Sequence, residues 1–342
     1  MASASHTRFL HVANGTSTTM TMPAAGIPGL YSIWADPLHD GPVPGGLSDE
    51  ELLEVRARFL GPAEDGTDLR QWRQAIERHD AYNELILWYE HDLFDQLNLI
   101  QLLAWIRGRL PPDKAVSLIC IDSFPGRPDF KGLGELQPNE LASLLDTRRA
   151  VSDAQYELAR HAWQAFREPT PAGLDQCRRE DMSALPYLAA AITRFLQEYP
   201  WTTDGLSRAE RRLLQLAGDN GTERRAPLSG APIALWKAFP RMHDGERAFY
   251  VTDGSLAEMA ETLSLTSPPL LTLDVPATPQ RHMLESSVSL TEAGRAVLAG
   301  QLDRVTACGI DRWLGGVHLQ GHGPMWRWDD TGQRVIHVTG SC

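Results

Sequence analysis

The sequence predicts an α/β protein, in which an open parallel sheet flanked by helices is followed by a helical linker and a smaller α+β part. Short apolar runs of strand type alternate with stretches whose apolar residues recur at helical spacing. Several of those runs end in glycine and polar residues, as parallel strands do at the sheet edge where ligands bind. At 342 residues the chain is also longer than one ordinary core accommodates, so two domains are expected.

Phe9–Ala13 reads as the first strand, closed by Asn14-Gly15-Thr16-Ser17. Glycine and hydroxyls after a strand suit a turn whose amides hold an anion; the plain alternative is a helix cap. Leu30–Trp34 is a second strand, and the Pro/Gly-rich loop after it displays Asp36, His39 and Asp40. A carboxylate beside an imidazole can act as a base with its orienting partner, whereas two aspartates in such a loop can equally close turns. Helices are expected from Ser48 to Leu60 and through Trp72, Ile76 and His79.

The stretch Leu85–Leu103 organises this half. An apolar, aromatic strand gives way at Glu90-His91-Asp92 to a helix with Leu93, Phe94, Leu97, Ile100 and Leu103 at helical spacing, and Gln96 one turn in. Lys114–Phe124 is a third strand, continuous enough in apolar residues to be buried on both faces, ending at Asp122-Ser123. A Gly-rich loop (Phe130–Leu136) and helices from Pro138, over Asp153–Arg167 and over Leu185–Tyr199 complete the region. The domain expectation is therefore a Rossmann-like or flavodoxin-like sheet domain over 1–168, a linker over 169–204 and a second domain over 205–342.

In that second part Ser207 and Glu210 form a capping box, Ser255–Leu263 is a further helix, and Leu270–Leu273 and Ser287–Leu290 are strands about a polar turn. Helices, a two-stranded wing and the phrase Leu-Thr-Glu-Ala-Gly-Arg (290–295) resemble the winged-helix pattern of bacterial regulators. The resemblance implies DNA binding through the second helix, yet that helix carries Glu258 and Glu261 and no Lys or Arg between Ser255 and Leu263, which phosphate would repel. The tail, with Gly315-Gly316, Trp326 and Trp328, reads as a closing β-hairpin.

Net charge is −12, concentrated in residues 1–204 (18 basic against 29 acidic residues), with 14 against 15 from Gly205 onward. An acidic first half argues against nonspecific nucleic-acid binding there. No apolar run approaches the roughly 18 residues that span a bilayer, and the N-terminus lacks a signal pattern, so no membrane partner is expected. Four singly placed cysteines (120, 177, 308, 342) argue against a zinc ribbon or disulfide framework and fit a reducing cytoplasm.

The phrases His11-Val-Ala-Asn14-Gly15, Trp34-Ala-Asp36-Pro-Leu-His39-Asp-Gly41-Pro42 and Trp88-Tyr-Glu-His91-Asp92-Leu-Phe-Asp95-Gln96, with Leu290–Gly300 and Trp313–His318, resemble the bacterial domain of unknown function 1835 (DUF1835) family. The resemblance spans most of the chain and implies little about activity. In that family's pattern an acidic residue follows Asn-Gly; here Thr16 stands in its place.

Three functional expectations follow. The first is an enzyme or small-molecule binder with its site at the carboxyl edge of the sheet. Asp36, His39, His91 and Asp92 would supply acid/base groups or metal ligands, while Asn14, Gly15, Thr16, Ser17 and Gln96 would hold an anionic or phosphorylated ligand. Mixed N/O ligands would suit a divalent transition metal such as Zn, Mn or Fe. The second is a ligand-sensing regulator, with DNA contact disfavoured by the acidic helix, and the third a non-catalytic protein partner. The plain alternative is that Glu90, His91 and Asp92 cap the helix that follows.

Overall fold

Five strands form the first sheet, in a computed structural model that describes residues 8–61, 67–219, 232–276 and 283–339. In chain order the first elements are β1 (Phe9–Ala13), α1 (Thr16–Thr21), β2 (Leu30–Ile33), β3 (Gly41–Pro42), α2 (Asp49–Leu60), α3 (Thr67–Glu77), β4 (Glu84–Glu90) and α4 (Leu93–Ile106). There follow β5 (Ala115–Ile121), α5 (Pro138–Leu144), β6 (Arg149–Ala150), α6 (Asp153–Phe166), α7 (Ala172–Cys177) and α8 (Leu188–Leu196). The sheet order is β2-β1-β4-β5-β6. The first four strands are parallel and β6 runs antiparallel at the edge.

Strand β4 is buried along nearly its whole length, which is why its sequence is a continuous apolar run without alternation. On one face Ile86 and Trp88 pack with Ile119 of β5 and with Leu133, Leu136 and Leu141 beyond it. His11 lies in the same sheet: its Nδ1 accepts from Trp88 Nε1 (3.1 Å), so the proton on Nε2 donates to the Pro28 carbonyl (3.1 Å). Burial pushes the His11 pKa down, which keeps this imidazole neutral.

The chain steps from β1 to β2 on one side and then crosses to β4 on the other side of β1. The connections leaving the carboxyl ends of β1 and β4 therefore diverge, the arrangement that opens a crevice in such sheets. Helix α4 contacts β4 and α6 and is buried nearly all round. Ala159, Ala162 and Ala165 supply the small side chains that let α6 approach closely.

Two compact units divide the chain, Met1–Ile192 with Trp313–Val317 and Thr193–Arg312 with His318–Cys342. The return segment in the first unit pairs in parallel with β3, Leu314 opposite Gly41 and Gly315 opposite Pro42. Val43 N donates to Gly315 O (2.8 Å) and Gly316 N to Phe166 O (3.0 Å). A Cβ on Gly316 would stand 2.1 Å from Arg167 O, so side-chain-free backbone is required for this approach.

The later elements are α9 (Arg208–Gly218), β7 (Ile233–Ala234), α10 (Leu235–Met242), α11 (Asp253–Leu265), β8 (Leu271–Asp274), β9 (Ser287–Leu290), α12 (Glu292–Leu298) and α13 (Arg304–Cys308). They are followed by β10 (Ile310–Gly315), β11 (Val317–Gly321), β12 (Met325–Asp329) and β13 (Arg334–Val338). Ser207 and Glu210 form the expected capping box on α9. Strands β7, β9 and β8 make an antiparallel sheet, and β12 with β13 makes the expected hairpin. Both Trp328 and Arg327 are buried there, the guanidinium held by Asp303 (2.6 Å). Part of the polar turn between β8 and β9 lies outside the described residues, as does Cys342.

Two helices are shorter than their periodicity suggests. Helix α3 ends at Glu77 and His79 lies in a single 3-10 turn, where the Tyr82 hydroxyl donates to the Ile76 carbonyl (2.6 Å). The stretch Leu185–Tyr199 is helical only over α8. No helix among the described residues is long and apolar enough to cross a membrane.

The return segment yields a test. Gly316→Ala must displace the Arg167 carbonyl or the segment itself, and an overpacked core position costs roughly 1–3 kcal/mol. Chemical denaturation should show that loss, and unchanged stability would contradict the described approach.

Candidate functional site

Three carboxyl groups meet where β4 passes into α4. Glu90 is the last residue of β4, Asp92 is the N-cap of α4 and Asp95 lies in its first turn. One oxygen from each lies within 4.8 Å of the others, and all three residues are buried. The turn forms because an extended Asp92 offers its carboxylate to Asp95 N (2.9 Å), an ordinary N-cap. Asp95 then reaches back so that Oδ1 accepts from Glu90 N (2.7 Å).

Asn14, at the end of β1, brings the neighbouring strand into the group. Its Nδ2 donates to Glu90 Oε2 (3.1 Å) and to Asp95 Oδ2. The amide of Leu133 donates to Glu90 Oε1. Gly132 allows this loop in, since a Cβ there would stand 2.8 Å from Glu90 Oε2. Gln96 Nε2 donates to the Glu90 carbonyl (2.6 Å), to which the Cys120 thiol also points (3.5 Å).

Among the described residues no lysine or arginine pairs with these carboxyl groups. Burial is the main cause that raises their pKa values: Glu90 to about 8, with Asp92 adding to the rise, and Asp92 to about 6. Asp95 is held well above the usual carboxylate range by burial and by the charges of Glu90 and Asp92. The hydrogen bonds from Asn14 and from backbone amides oppose this without cancelling it. The cluster therefore carries more negative charge than its surroundings neutralise, and protons or a cation must compensate. Glu90, Asp92 and Asp95 are the residues that could hold a metal ion.

The expected site residues divide between this cluster and other roles. Asn14, Asp92 and Gln96 are brought together. His91 is adjacent, its ring edge-on to Tyr187 (centroids 6.3 Å) and its Nδ1 buried without a hydrogen-bond partner. Tyr187 also lies near enough to Asp122, from the turn after β5, for that carboxylate to help burial raise its pKa. Thr16 and Ser17 are exposed beside Gly15, the N-cap of α1. At six residues α1 is too short to supply a strong anion-binding dipole.

Asp36 is not paired with an imidazole. Its carboxylate accepts from Arg56 Nη2 (2.6 Å) and Nε (3.0 Å), both residues being buried. Arg56 also donates to the carbonyls of Asp40 (2.7 Å) and Pro37 (3.1 Å), so the loop is wrapped round one guanidinium. His39 lies edge-on to Phe94 (6.0 Å) instead. A planar five-donor cation satisfies a proline-rich loop more completely than an imidazole does.

Glu90 and Asp95 were absent from the sequence expectation for the site. Each has an innocent reading, Glu90 as the polar end of a strand and Asp95 as an acidic first-turn residue. The available signal was their spacing from Asp92, which places three carboxylates about one turn.

Two predictions follow. Because the Glu90 and Asp92 pKa values are raised by folding, their contribution to stability is full below about pH 4 and is lost as pH rises through 6 and then 8. Urea denaturation should show stability falling toward pH 8. Glu90→Gln should flatten the upper part of that fall by up to about 1.4 kcal/mol per pH unit; parallel slopes would refute the assignment. Asp36→Asn leaves the Arg56 charge buried and unpaired and should cost about 3–5 kcal/mol, read by the same method.

No protein-family model matches the chain, and no curated protein is detectably similar to it.

Proposed function

We propose that the carboxyl edge of the sheet between β1 and β4 is the site of an enzyme or small-molecule binder, in which Glu90, Asp92 and Asp95 hold a divalent cation. The carrying observation is three buried carboxyl groups within 4.8 Å of one another, unpaired with any basic side chain among the described residues, where the strand order reverses. The unpartnered, buried Nδ1 of His91 beside them supports the same reading. An all-oxygen set favours Mg²⁺ or Mn²⁺ over the zinc that mixed ligands would suit.

A cation there would meet the anionic oxygen of a ligand at the same edge of the sheet. Hydrolase- or transferase-type chemistry on an anionic or phosphorylated small molecule fits that arrangement, since a bound cation polarises such an oxygen and acidifies its water.

The parallel-strand order supports a Rossmann-like or flavodoxin-like reading of the first unit, and the phrases it contains support membership of the domain of unknown function 1835 family. The order α9-β7-α10-α11-β8-β9 with a three-stranded antiparallel sheet supports a winged-helix-like reading of the second. Helix α11 presents Glu258 and Glu261 and no Lys or Arg, which favours a packing or protein-contact role for it over DNA reading.

The deciding experiment is thermal denaturation at pH 8 with Mn²⁺, Mg²⁺ or chelator, on wild type, Glu90→Gln and Asp92→Asn. Asparagine keeps the cap of α4 while removing charge. One of the ions should stabilise wild type, by about 2.7 kcal/mol at a hundredfold excess over its dissociation constant, and neither variant should respond. A wild type indifferent to both ions would leave a shared-proton network and sink the cation reading.

A further inference from the structure

A second site lies in the first unit, against the opposite end of α4. Asp92 and Trp105 are separated by 13 residues of chain, about 20 Å along a helix axis. There an open cleft of about 290 Å³ is lined by Arg73, Arg109, Arg160 and Arg167 and by the indoles of Trp105 and Trp163. Four guanidinium groups in one cleft contrast with the chain's net charge of −12.

The arginines differ in how they are held. Arg109 pairs with Asp49, the one acidic residue of the lining, and lies 4.9 Å over the Trp105 ring. Arg160 is exposed and pairs with Glu157 one turn away (3.1 Å). Arg73 and Arg167 have no carboxylate partner among the described residues. Arg73 lies 4.9 Å over the Trp34 ring, donates through Nη1 to Leu69 O (2.9 Å), and has its Nε buried without a hydrogen-bond partner. Arg167 is fixed by the Pro44 carbonyl (Nε 3.1 Å, Nη2 2.9 Å) and lies 5.5 Å over Trp163. Asp36, Glu50 and Glu77 act on Arg73 through space, but no carboxylate among the described residues pairs with either cation; carbonyls and indole faces orient both, which leaves them able to meet an anion.

We propose that this cleft binds a nucleoside monophosphate. Guanidinium forks match the oxygens of a phosphate, and guanidinium planes, here seated on the two indoles, stack on a flat base. The volume lies at the low end of the range for small-molecule pockets, which suits one nucleotide and not a dinucleotide.

The test is calorimetric titration of the full chain with AMP, adenosine and inorganic phosphate, on wild type, Arg73→Gln, Arg160→Ala and Trp163→Leu. AMP should bind more tightly than either fragment, and more weakly as salt rises. Arg73→Gln should weaken AMP binding about tenfold or more through loss of a charge-assisted donor. Exposed Arg160→Ala should weaken it about threefold, and Trp163→Leu should also reduce affinity. If Arg73→Gln does not fold, the Arg160 and Trp163 variants decide. Asp92→Asn, in the acidic cluster, should leave AMP affinity unchanged, which separates this site from the cation site. No AMP binding at millimolar concentration, equal affinity in all variants, phosphate binding as tightly as AMP, or dependence on Asp92 would each overturn the proposal.

Discussion

Helix α4 is buried almost all round, and the first unit depends on the constraint this imposes: every polar side chain on the helix must find its partner inside the protein. Asp95 takes the Glu90 amide and the Asn14 side chain, and Gln96 takes the Glu90 carbonyl. Asn98 clasps both the amide (3.0 Å) and the carbonyl (2.9 Å) of Asp36, and Gln101 accepts from the Trp34 indole (2.7 Å). One helix therefore aligns the ends of β1, β2 and β4. The carboxyl edge of the sheet inherits its geometry from the satisfaction of a buried polar face.

That edge buries carboxylates in two different ways. Asp36 is matched by the Nε and Nη2 of Arg56, and its own amide donates to Asn98 Oδ1, so its charge is answered and the surrounding loop is tied down. Glu90, Asp92 and Asp95 receive hydrogen bonds but no opposite charge. Hydrogen bonding alone offsets only part of the desolvation of a carboxylate. The first arrangement has its charge complete within the protein, whereas the second is left responsive to protons or cations from outside. This contrast separates scaffold from candidate site at one edge of a single sheet.

Much of this was legible in the sequence, for local reasons. Strands β1, β4 and β5 announce themselves as apolar runs, and Asn14, Asp92 and Gln96 sit at strand ends and helix starts where position along the chain dictates their role. Tertiary partnership was not legible. Arg56 lies twenty residues beyond Asp36 on a helix with ordinary charge patterning, and nothing local shows that it turns inward. Asp95 looks like any acidic residue in a first turn until Asn14 is seen beside it. The arginines at 73, 109, 160 and 167 are far apart in sequence and belong to no motif, so only the fold reveals them as one lining.

The pairing of Leu314 with Gly41 has a consequence for how the molecule is made. A ribosome adds roughly 5–20 residues per second, so strand β3 waits for tens of seconds after it emerges before its partner has been synthesised. During that interval its backbone edge and the glycine-lined seat beside Phe166 and Arg167 face solvent or whatever else is nearby. The first unit is thus encoded early and finished late. Its last backbone pairing has the longest loop to close and the slowest search, and the half-made chain is the state most open to capture by chaperones.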